Sequence, residues 1–171
     1  MRKGYVIWLT GLPCSGKTSI GDNLADKMKN YLVERLDGDI VRKSLTKDLG
    51  FSKEDRKINL ERVTFVAKLL SRNGILVICS FVSPYREVRE YIKKETTNFI
   101  EVYVKTSTAE CVKRDNKGMW AKAKRGEIKG FTGFDAPYEI PINPDIIVNT
   151  EKETIEESTQ KILNYLIKRI K

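Results

Sequence analysis

The residues with the clearest chemical potential lie near the amino terminus, in the segment Gly11-Leu12-Pro13-Cys14-Ser15-Gly16-Lys17-Thr18. This segment fits the pattern G-x-x-x-x-G-K-[ST], in which the backbone N–H groups of a glycine-rich loop surround phosphate oxygens. Lys17 can reach the β- and γ-phosphates, and the Thr18 hydroxyl can ligate Mg²⁺. An apolar run precedes the loop and a helical pattern follows it, which disfavours a chance match. The segment, extended to Ser19, predicts a nucleotide-phosphate site.

Two carboxylates separated by one glycine, Asp37 and Asp39, follow the second apolar run of the chain. Phosphoryl transfer to a hydroxyl needs a metal ion on the phosphates and a carboxylate near the accepting oxygen. The pair can serve both needs from one tight turn, although a plain Asp-Gly turn is the alternative. The position of this pair therefore favours a small-molecule kinase.

Two other classes of phosphate-loop protein fit the sequence less well. A guanine-specific switch would carry an aspartate after Asn116-Lys117, where this chain has Gly118-Met119. A strand-separating ATPase would end an apolar strand in an acidic pair, but the run Ile75–Phe81 ends in Ser80-Phe81.

The acceptor is predicted to be anionic and to carry a flat ring. Five arginines follow the second and third strands, where an acceptor would bind, and their forks suit phosphate or sulfate oxygens: Arg42, Arg56, Arg62, Arg86 and Arg89. For each of them, a solvated surface charge is the alternative. Three phenylalanines stand in polar segments: Phe51, Phe131 and Phe134. They can stack on a purine, while packing of a closed lid is the alternative.

Length and composition indicate a single globular domain over residues 1–171, with 40% hydrophobic and 32% charged residues. The net charge of +9 is scattered along the chain, which favours a basic cleft for phosphates over a nucleic-acid groove. The three cysteines, Cys14, Cys79 and Cys111, lack metal-type spacing and are expected to be reduced thiols in the cytoplasm. The sequence contains no apolar run of transmembrane length, so no membrane association is expected.

Apolar runs alternate with helical patterns, which predicts a three-layer α/β P-loop fold with a central parallel sheet of about five strands. The strands are predicted at Tyr5–Leu9, Tyr31–Leu36, Ile75–Phe81, Phe99–Lys105 and Asp145–Asn149. In such a sheet, ligands bind beyond the carboxyl ends of the strands. Residues 117–144, rich in glycine, break the rhythm and are predicted to form a lid.

Helix starts are predicted from side-chain caps. The predicted caps are Ser52 with Asp55, Ser83 before Pro84, Ser107 with Glu110, and Thr150 with Glu153. The stretch from Arg42 to Asn59 is expected to be a surface excursion. A separate amphipathic helix, marked by Leu60, Val63, Ala67 and Leu70, is expected to follow it. The last helix is predicted to face the core with Ile155, Ile162, Leu163, Leu166 and Ile170.

Several blocks, in order over nearly the whole chain, resemble the adenylylsulfate kinase (APS kinase) family. Besides the phosphate loop they are Asp37-Gly38-Asp39 with Arg42, Asp48–Ser52, Asp55-Arg56 with Asn59, Ser80–Arg86, Arg114-Asp115, Lys117-Gly118, Gly126–Ile128, Phe131–Gly133 and Ala136–Pro141. The resemblance implies transfer of phosphate from ATP, with Mg²⁺, to the ribose 3′-hydroxyl of adenylyl sulfate in sulfate assimilation. It also implies a homodimer.

The resemblance further implies residue roles. Lys17 and Thr18 would hold the ATP phosphates and the metal, and Arg114 would lie against the ATP adenine. Asp37 and Asp39 would position the metal and activate the hydroxyl. Asp37 is placed with Thr18 at the metal, and which of the two aspartates acts as the base is left open. The acceptor would meet Asp39, Arg42, Phe51, Arg56, Asn59, Val82, Ser83, Lys117, Lys122 and Phe131.

Two questions stay open at this stage. Ser83 corresponds to a phosphoserine intermediate in the family, but a helix cap is the alternative, and in-line transfer to the ribose needs no covalent step. Ile40, Lys43-Ser44, Ile58 and Glu61 depart from the family pattern on the acceptor side. A related kinase for another anionic nucleotide or small molecule is therefore the alternative, followed by a non-enzymatic ATP-binding or nucleic-acid-associated module.

Overall fold

A computed structural model describes residues 3–170 of the chain. Strands and helices alternate, as the apolar periodicity predicts. In chain order they are β1 (Tyr5–Thr10), α1 (Lys17–Lys27), β2 (Val33–Asp37), α2 (Gly38–Val41), α3 (Lys53–Arg72), β3 (Leu76–Ser80), α4 (Arg86–Glu95), β4 (Phe99–Lys105), α5 (Thr108–Lys113), α6 (Met119–Lys124), β5 (Ile146–Asn149) and α7 (Ile155–Ile167).

The five strands form one parallel sheet in the order β2-β3-β1-β4-β5. The strand that precedes the phosphate loop is central, and its six residues are all buried. The register aligns the carboxyl ends of the strands, with Leu9 and Asp37 both opposite Ser80 and with Lys105 opposite Asn149. The predicted sheet is thus confirmed, and its loops meet along one edge.

Helices cover both faces of the sheet. On one face α1 and α7 bury Ile20, Leu24, Ile162 and Leu166 against alternate strand residues. On the other face α3 and α4 pack against the side chains that point the opposite way, Trp8 among them. Alternation of side chains across each strand produces these two layers, which confirm the predicted three-layer arrangement. No helix among residues 3–170 is long and apolar enough to cross a membrane.

Two predicted caps are confirmed, and one helix is longer than predicted. The Ser52 hydroxyl accepts from the Asp55 N–H at 3.0 Å, and the Ser107 hydroxyl accepts from the Glu110 N–H at 3.3 Å. The first of these starts α3 at Lys53, so the last part of the predicted excursion 42–59 is helical.

Two predicted caps are wrong. Helix α4 starts at Arg86, not at Pro84, because Ser83 adopts a left-handed conformation with φ of 47°. Helix α7 is capped by Thr154 and Glu157, which form a complete capping box, and not by Thr150. The later start leaves Ile155 in the first turn and 47% exposed, so its predicted place in the core is also wrong.

The predicted lid, residues 117–144, contains the short helix α6 and a bridge between Thr132 and Ala136. A third apolar cluster joins this lid to the rest of the fold. It contains Cys111, Trp120, Ala123 and Phe131, with Leu12 and Cys14 of the phosphate loop packed against it. The lid therefore rests on the phosphate loop in this structure.

Candidate functional site

The phosphate loop has the backbone geometry that its glycines permit. A Cβ at Gly11 would lie 2.5 Å from the carbonyl oxygen of Val104, so only glycine fits beside β4. Gly16 caps α1 with φ of 97°, a conformation that other residues rarely adopt. The loop therefore turns sharply from β1 into α1 and presents the N-terminal end of an eleven-residue helix. Such an end binds phosphate through its free N–H groups.

Lys17 is buried and folds back onto the loop. Its ammonium donates to the carbonyl of Leu12 at 2.6 Å, to that of Gly11 at 3.0 Å and to the Ser15 hydroxyl at 3.3 Å. Burial lowers the pKa of Lys17 to about 8, while Asp37 and Asp39 act in the opposite direction. The cation is thus held at the centre of the loop, where phosphate oxygens would replace neutral carbonyls as its partners.

ATP binding is expected to take up protons near pH 8. About half of the free protein carries a neutral Lys17 at that pH, and phosphate anions favour the charged form, so uptake approaches half a proton. At pH 6.5 Lys17 is already charged, and uptake through this group falls towards zero. Titration calorimetry in two buffers of different ionisation enthalpy measures this number, and Lys17→Met should abolish the difference between the two pH values. Equal uptake by both proteins at pH 8 would contradict the prediction.

The two aspartates occupy different environments. Asp37 is buried, accepts from the Thr18 hydroxyl at 2.8 Å, and caps α2 by accepting from the Asp39 N–H at 3.0 Å. Asp39 stands exposed on α2 and forms an ion pair with Lys117 of the lid. One carboxylate is therefore committed to the phosphate loop, and the other is exposed beside the lid.

Residues that follow α2 form an aromatic and cationic cluster. The Arg42 guanidinium lies over the Phe51 ring, 4.3 Å from its centroid, and donates to the Gly50 carbonyl at 2.9 Å. Arg56 lies 5.7 Å from the same centroid and donates to the carbonyls of Phe51 and Gly130. Phe51 stays 56% exposed. Arg56 thus joins the 42–52 loop to the lid beside an open ring.

Three other residues predicted for the acceptor lie on separate parts of the fold, with Asn59 on α3, Val82 after β3 and Lys122 on α6. Asn59 is buried and accepts from the Thr46 hydroxyl at 2.7 Å, so it supports the 42–52 loop from below. The carbonyl of Val82 accepts from the Thr10 hydroxyl at 2.8 Å. Lys122 is exposed on α6. The structure gives Asn59 a supporting position, and its contact with the acceptor stays a prediction.

Phe131 packs into the lid cluster. Its ring meets Trp120 edge to face, with centroids 5.0 Å apart, and it is buried. The Trp120 indole N–H also donates to the carbonyl of Pro13 at 3.3 Å. The position of the Phe131 ring is therefore fixed by packing, whereas the Phe51 ring is exposed.

Arg114 lies on the opposite side of the phosphate loop. It donates to the hydroxyl of Thr150 at 3.0 Å and to its carbonyl at 2.7 Å, and it pairs with Glu110. The Thr150 hydroxyl donates in turn to the Ser15 carbonyl at 3.1 Å. Thr150 is thus tied to the phosphate loop, which explains why it does not start α7.

Three of the predicted acceptor arginines have structural partners instead. Arg62 pairs with Asp48 at 2.7 Å on the surface. Arg86 donates to the carbonyl of Ile140 at 2.9 Å. Arg89 is only 3% exposed and pairs with Glu101 at 3.0 Å. Of the five arginines, Arg42 and Arg56 are the two that the structure places beside the exposed Phe51 ring.

Sequence reasoning missed Trp120, Thr150 and Arg35. Arg35 donates to the Ser80 hydroxyl at 2.9 Å and to the Thr18 carbonyl at 3.3 Å, and it lies 3.8 Å from Asp37. An available signal was the spacing of Arg35 and Asp37, which puts both side chains on one face of β2. For Trp120 and Thr150 the partners are distant in sequence; the local pattern of Thr150 indicated a helix cap, and that of Trp120 carried no signal.

The donor set fits a magnesium ion that is bound mainly through nucleotide. Among residues 3–170 no three Asp, Glu, His or Cys side chains are grouped as a metal site. The Thr18 hydroxyl and the Asp37 carboxylate are oxygen donors in contact with each other. Mg²⁺ in kinases usually takes one or two protein oxygens, with phosphates and water as its other ligands.

Comparisons with known proteins agree on one family. The sequence model of the family described as Adenylylsulphate kinase matches residues 3–149. A probable adenylyl-sulfate kinase of Pseudomonas aeruginosa is 57% identical over 162 residues, which cover 94% of this chain and 76% of the relative. An adenylyl-sulfate kinase of Halothermothrix orenii is 51% identical over 167 residues, which cover 96% and 90%.

Solved structures give the same result. The Mycobacterium tuberculosis APS kinase in complex with AMPPNP and APS has a TM-score of 0.94 and 39% identity, over 98% of this chain and 99% of that one. A gluconokinase from Sinorhizobium meliloti, at 16% identity and a TM-score of 0.62, shares the fold. The fold is that of P-loop kinases. The relatives with high sequence identity are adenylyl-sulfate kinases.

Proposed function

This chain belongs to the adenylylsulfate kinase family, and we propose on that premise that it phosphorylates the ribose 3′-hydroxyl of adenylyl sulfate with ATP. One observation carries the proposal: a single turn of helix, α2, connects Asp37, which contacts Thr18 of the phosphate loop, to Arg42, which lies on the exposed Phe51 ring. The phosphate donor and a flat anionic acceptor would therefore meet across Asp39.

On the donor side, the loop from Gly11 to Ser19 holds the ATP phosphates, with Lys17 on the β- and γ-phosphate oxygens. Thr18 and Asp37 would hold Mg²⁺, which when bound neutralises charge on the β- and γ-phosphates. Arg114 is proposed to lie against the ATP adenine. Its support is the anchoring of Arg114 by Thr150, which binds the phosphate loop as well.

For the transfer step we assign the activation of the acceptor to Asp39. Asp37 already accepts from Thr18 and from the Asp39 backbone, whereas the Asp39 carboxylate is exposed to the cleft. The 3′-oxygen would attack the γ-phosphorus in line, the bond to the ADP oxygen would break, and the hydroxyl proton would pass to Asp39. Lys117, paired with Asp39, would balance the negative charge near the transferred group.

Direct transfer is proposed over a phosphoserine step at Ser83. The Ser83 hydroxyl oxygen accepts from the Trp8 indole N–H at 2.8 Å, and the residue is 2% exposed. An oxygen this deeply buried, and held by Trp8, offers the γ-phosphorus of ATP little access. Ser83 therefore contributes to the acceptor site through its backbone.

The acceptor site is proposed to be built around adenine and phosphosulfate. Phe51 offers its exposed ring to the adenine, and Phe131, fixed against Trp120, closes the opposite side. Arg42 and Arg56 supply forks for the phosphosulfate oxygens. Asn59, Val82, Ser83 and Lys122 are proposed around the same acceptor.

Phe51→Ala is expected to weaken binding of adenylyl sulfate about 5- to 150-fold, since stacking of a base on an aromatic side chain contributes about 1–3 kcal/mol. ATP affinity should stay within about twofold, because the ring of Phe51 contacts Arg42 and Arg56, which lie outside the phosphate loop. Calorimetric titrations with each nucleotide measure both constants. Phe134→Ala, which truncates an equally exposed ring in the lid, is the matched control and should leave both constants unchanged. Equal acceptor binding by Phe51→Ala and the wild type would rule out the stacking role.

The experiment that tests the function is release of ADP from Mg-ATP with adenylyl sulfate, compared with AMP and with gluconate as acceptors. Release that requires adenylyl sulfate supports the proposal. ATP binding without ADP release in the presence of adenylyl sulfate would favour a related kinase with another acceptor. Salt-sensitive retention of nucleic acid would favour a non-enzymatic, nucleic-acid-associated module. A homodimer and a cytoplasmic location stay predictions.

A further inference from the structure

Arg89 is the buried centre of a polar junction that the proposed mechanism does not use. Its Nη1 donates to the carbonyl of Ser83 at 2.6 Å, its Nη2 donates to the carbonyl of Glu139 at 2.6 Å, and its Nε lies 3.0 Å from the Glu101 carboxylate. The guanidinium also lies 5.8 Å from the centroid of the Tyr138 ring. Two of its nitrogens therefore donate to backbone carbonyls, and the third forms an ion pair with Glu101.

The two carbonyls belong to two segments that flank the acceptor side. Ser83 lies in the turn between β3 and α4, next to Val82. Glu139 lies where the lid returns to the body of the protein, and its N–H donates to the carbonyl of Pro84 at 2.8 Å. Arg89 thus joins the β3–α4 turn to the segment at the end of the lid that contains Glu139. Glu101 anchors Arg89 on β4.

The turn needs such support because its backbone is strained. Ser83 has φ of 47°, a left-handed conformation that costs a non-glycine residue free energy and persists only when its surroundings impose it. Here the Trp8 indole holds the Ser83 hydroxyl, Arg89 holds its carbonyl, and the Thr10 hydroxyl holds the Val82 carbonyl. Thr10 also bonds the Tyr138 hydroxyl at 2.9 Å, which ties the lid return to the same network.

We propose that Arg89 is a positioning residue for the acceptor: its fork fixes the Val82–Ser83 turn and the lid return in the shape that binds adenylyl sulfate. This inference rests on the proposed function and deepens it. A lysine at this position keeps the positive charge beside Glu101. Its donors all lie on one nitrogen at the end of a flexible stem, so it cannot hold both carbonyls with the planar geometry of the guanidinium. The partners of Arg89 (Ser83, Glu101 and Glu139) lie outside the phosphate loop, so ATP binding should not respond.

Arg89→Lys is therefore expected to raise the dissociation constant of adenylyl sulfate about tenfold or more, and its KM in parallel, because small misplacements in a preorganised site are costly. The dissociation constant of ATP should change by less than about twofold. Both constants are measured by calorimetry, at a temperature well below the thermal midpoint of each variant. Glu101→Gln, which keeps the shape of the anchor and removes its charge, is expected to move the acceptor constant in the same direction and is used in its place where Arg89→Lys does not fold.

Ile92→Ala is the matched control, since Ile92 lies on the same helix, is fully buried and faces the core. It should lower the thermal midpoint without a selective loss of acceptor binding. The proposal is overturned where Arg89→Lys binds adenylyl sulfate as the wild type does, or where Ile92→Ala gives the same selective loss. Failure of the wild-type protein to bind adenylyl sulfate would instead refute the proposed function, and the two failures are thus distinguishable.

Discussion

Asp39→Asn is expected to lower kcat for phosphorylation of adenylyl sulfate by about 10²- to 10⁴-fold, the usual contribution of a general base. The amide has nearly the shape of the carboxylate but cannot accept the proton that leaves the ribose hydroxyl. Asp39 is exposed beside the cleft and forms an ion pair with Lys117, so its loss leaves the packed fold intact. ATP affinity should change little. Single-turnover kinetics with saturating Mg-ATP measure the transfer step directly.

Asp37→Asn provides the comparison, because the two aspartates are two residues apart and differ in their contacts. Asp37 accepts from the Thr18 hydroxyl and caps α2. Its substitution should raise the Mg²⁺ concentration needed for half-maximal rate and weaken metal-dependent nucleotide binding. Asp39→Asn should leave the Mg²⁺ requirement unchanged. If the two variants shift the Mg²⁺ requirement equally, the division of roles between the aspartates is wrong.

Lys17→Met is expected to lower kcat by about 10²- to 10³-fold, since one preorganised donor to the charge of a transition state typically contributes this much. Methionine fills a similar volume without the ammonium, so the loop keeps its packing while the phosphates lose their cation. The hydrogen bonds to the carbonyls of Gly11 and Leu12 are lost as well. Weaker ATP binding is therefore expected along with the slower transfer.

Lys27→Met is the matched control for that substitution. Lys27 lies in the last turn of the same helix and forms an exposed ion pair with Glu156 at 2.6 Å. Exposed pairs contribute little to stability, so this variant should keep wild-type kinetics. A comparable loss of activity in both variants would mean that charge on α1, and not the position of Lys17, determines the rate.

Sequence reasoning succeeded where local chemistry decides the structure. The phosphate loop needs glycine at fixed positions and a lysine at the start of the helix, and all of these residues lie within a segment of eight. The buried strands also follow from composition, because a run such as Leu76–Ser80 is apolar on both faces. The Ser52 and Ser107 caps form between residues three apart.

The failures arise where a distant partner competes with a local pattern. Thr150 and Thr154 each precede a glutamate by three residues, so both look like capping boxes. Thr150 is instead occupied by Ser15 and Arg114, and the second threonine caps the helix. Ser83 before Pro84 has the pattern of a helix start, but Trp8 holds its hydroxyl from 75 positions away.

Local sequence constrains the donor side of the candidate site more tightly than the acceptor side. The donor residues are contiguous, whereas the acceptor side is assembled from α2, the 42–52 loop, the β3–α4 turn and the lid. Arg89 and Arg42 are both arginines in polar stretches, and the sequence does not distinguish them. Burial against Glu101 makes the first a structural cation, while the open Phe51 ring keeps the second in the cleft.

The central claim is direct transfer of the γ-phosphoryl group of ATP to the 3′-oxygen of adenylyl sulfate. Its most direct measurement is a rapid-quench reaction of enzyme and Mg-ATP, with and without adenylyl sulfate, with the nucleotides identified by mass and by phosphorus NMR. We predict that ADP forms only when the acceptor is present, and that the product is adenylyl sulfate with one added phosphomonoester on its 3′-oxygen. One equivalent of ADP formed without acceptor would indicate a phosphorylated enzyme and contradict direct transfer. ADP formed with acceptor present but with no phosphorylated acceptor would contradict the kinase assignment itself.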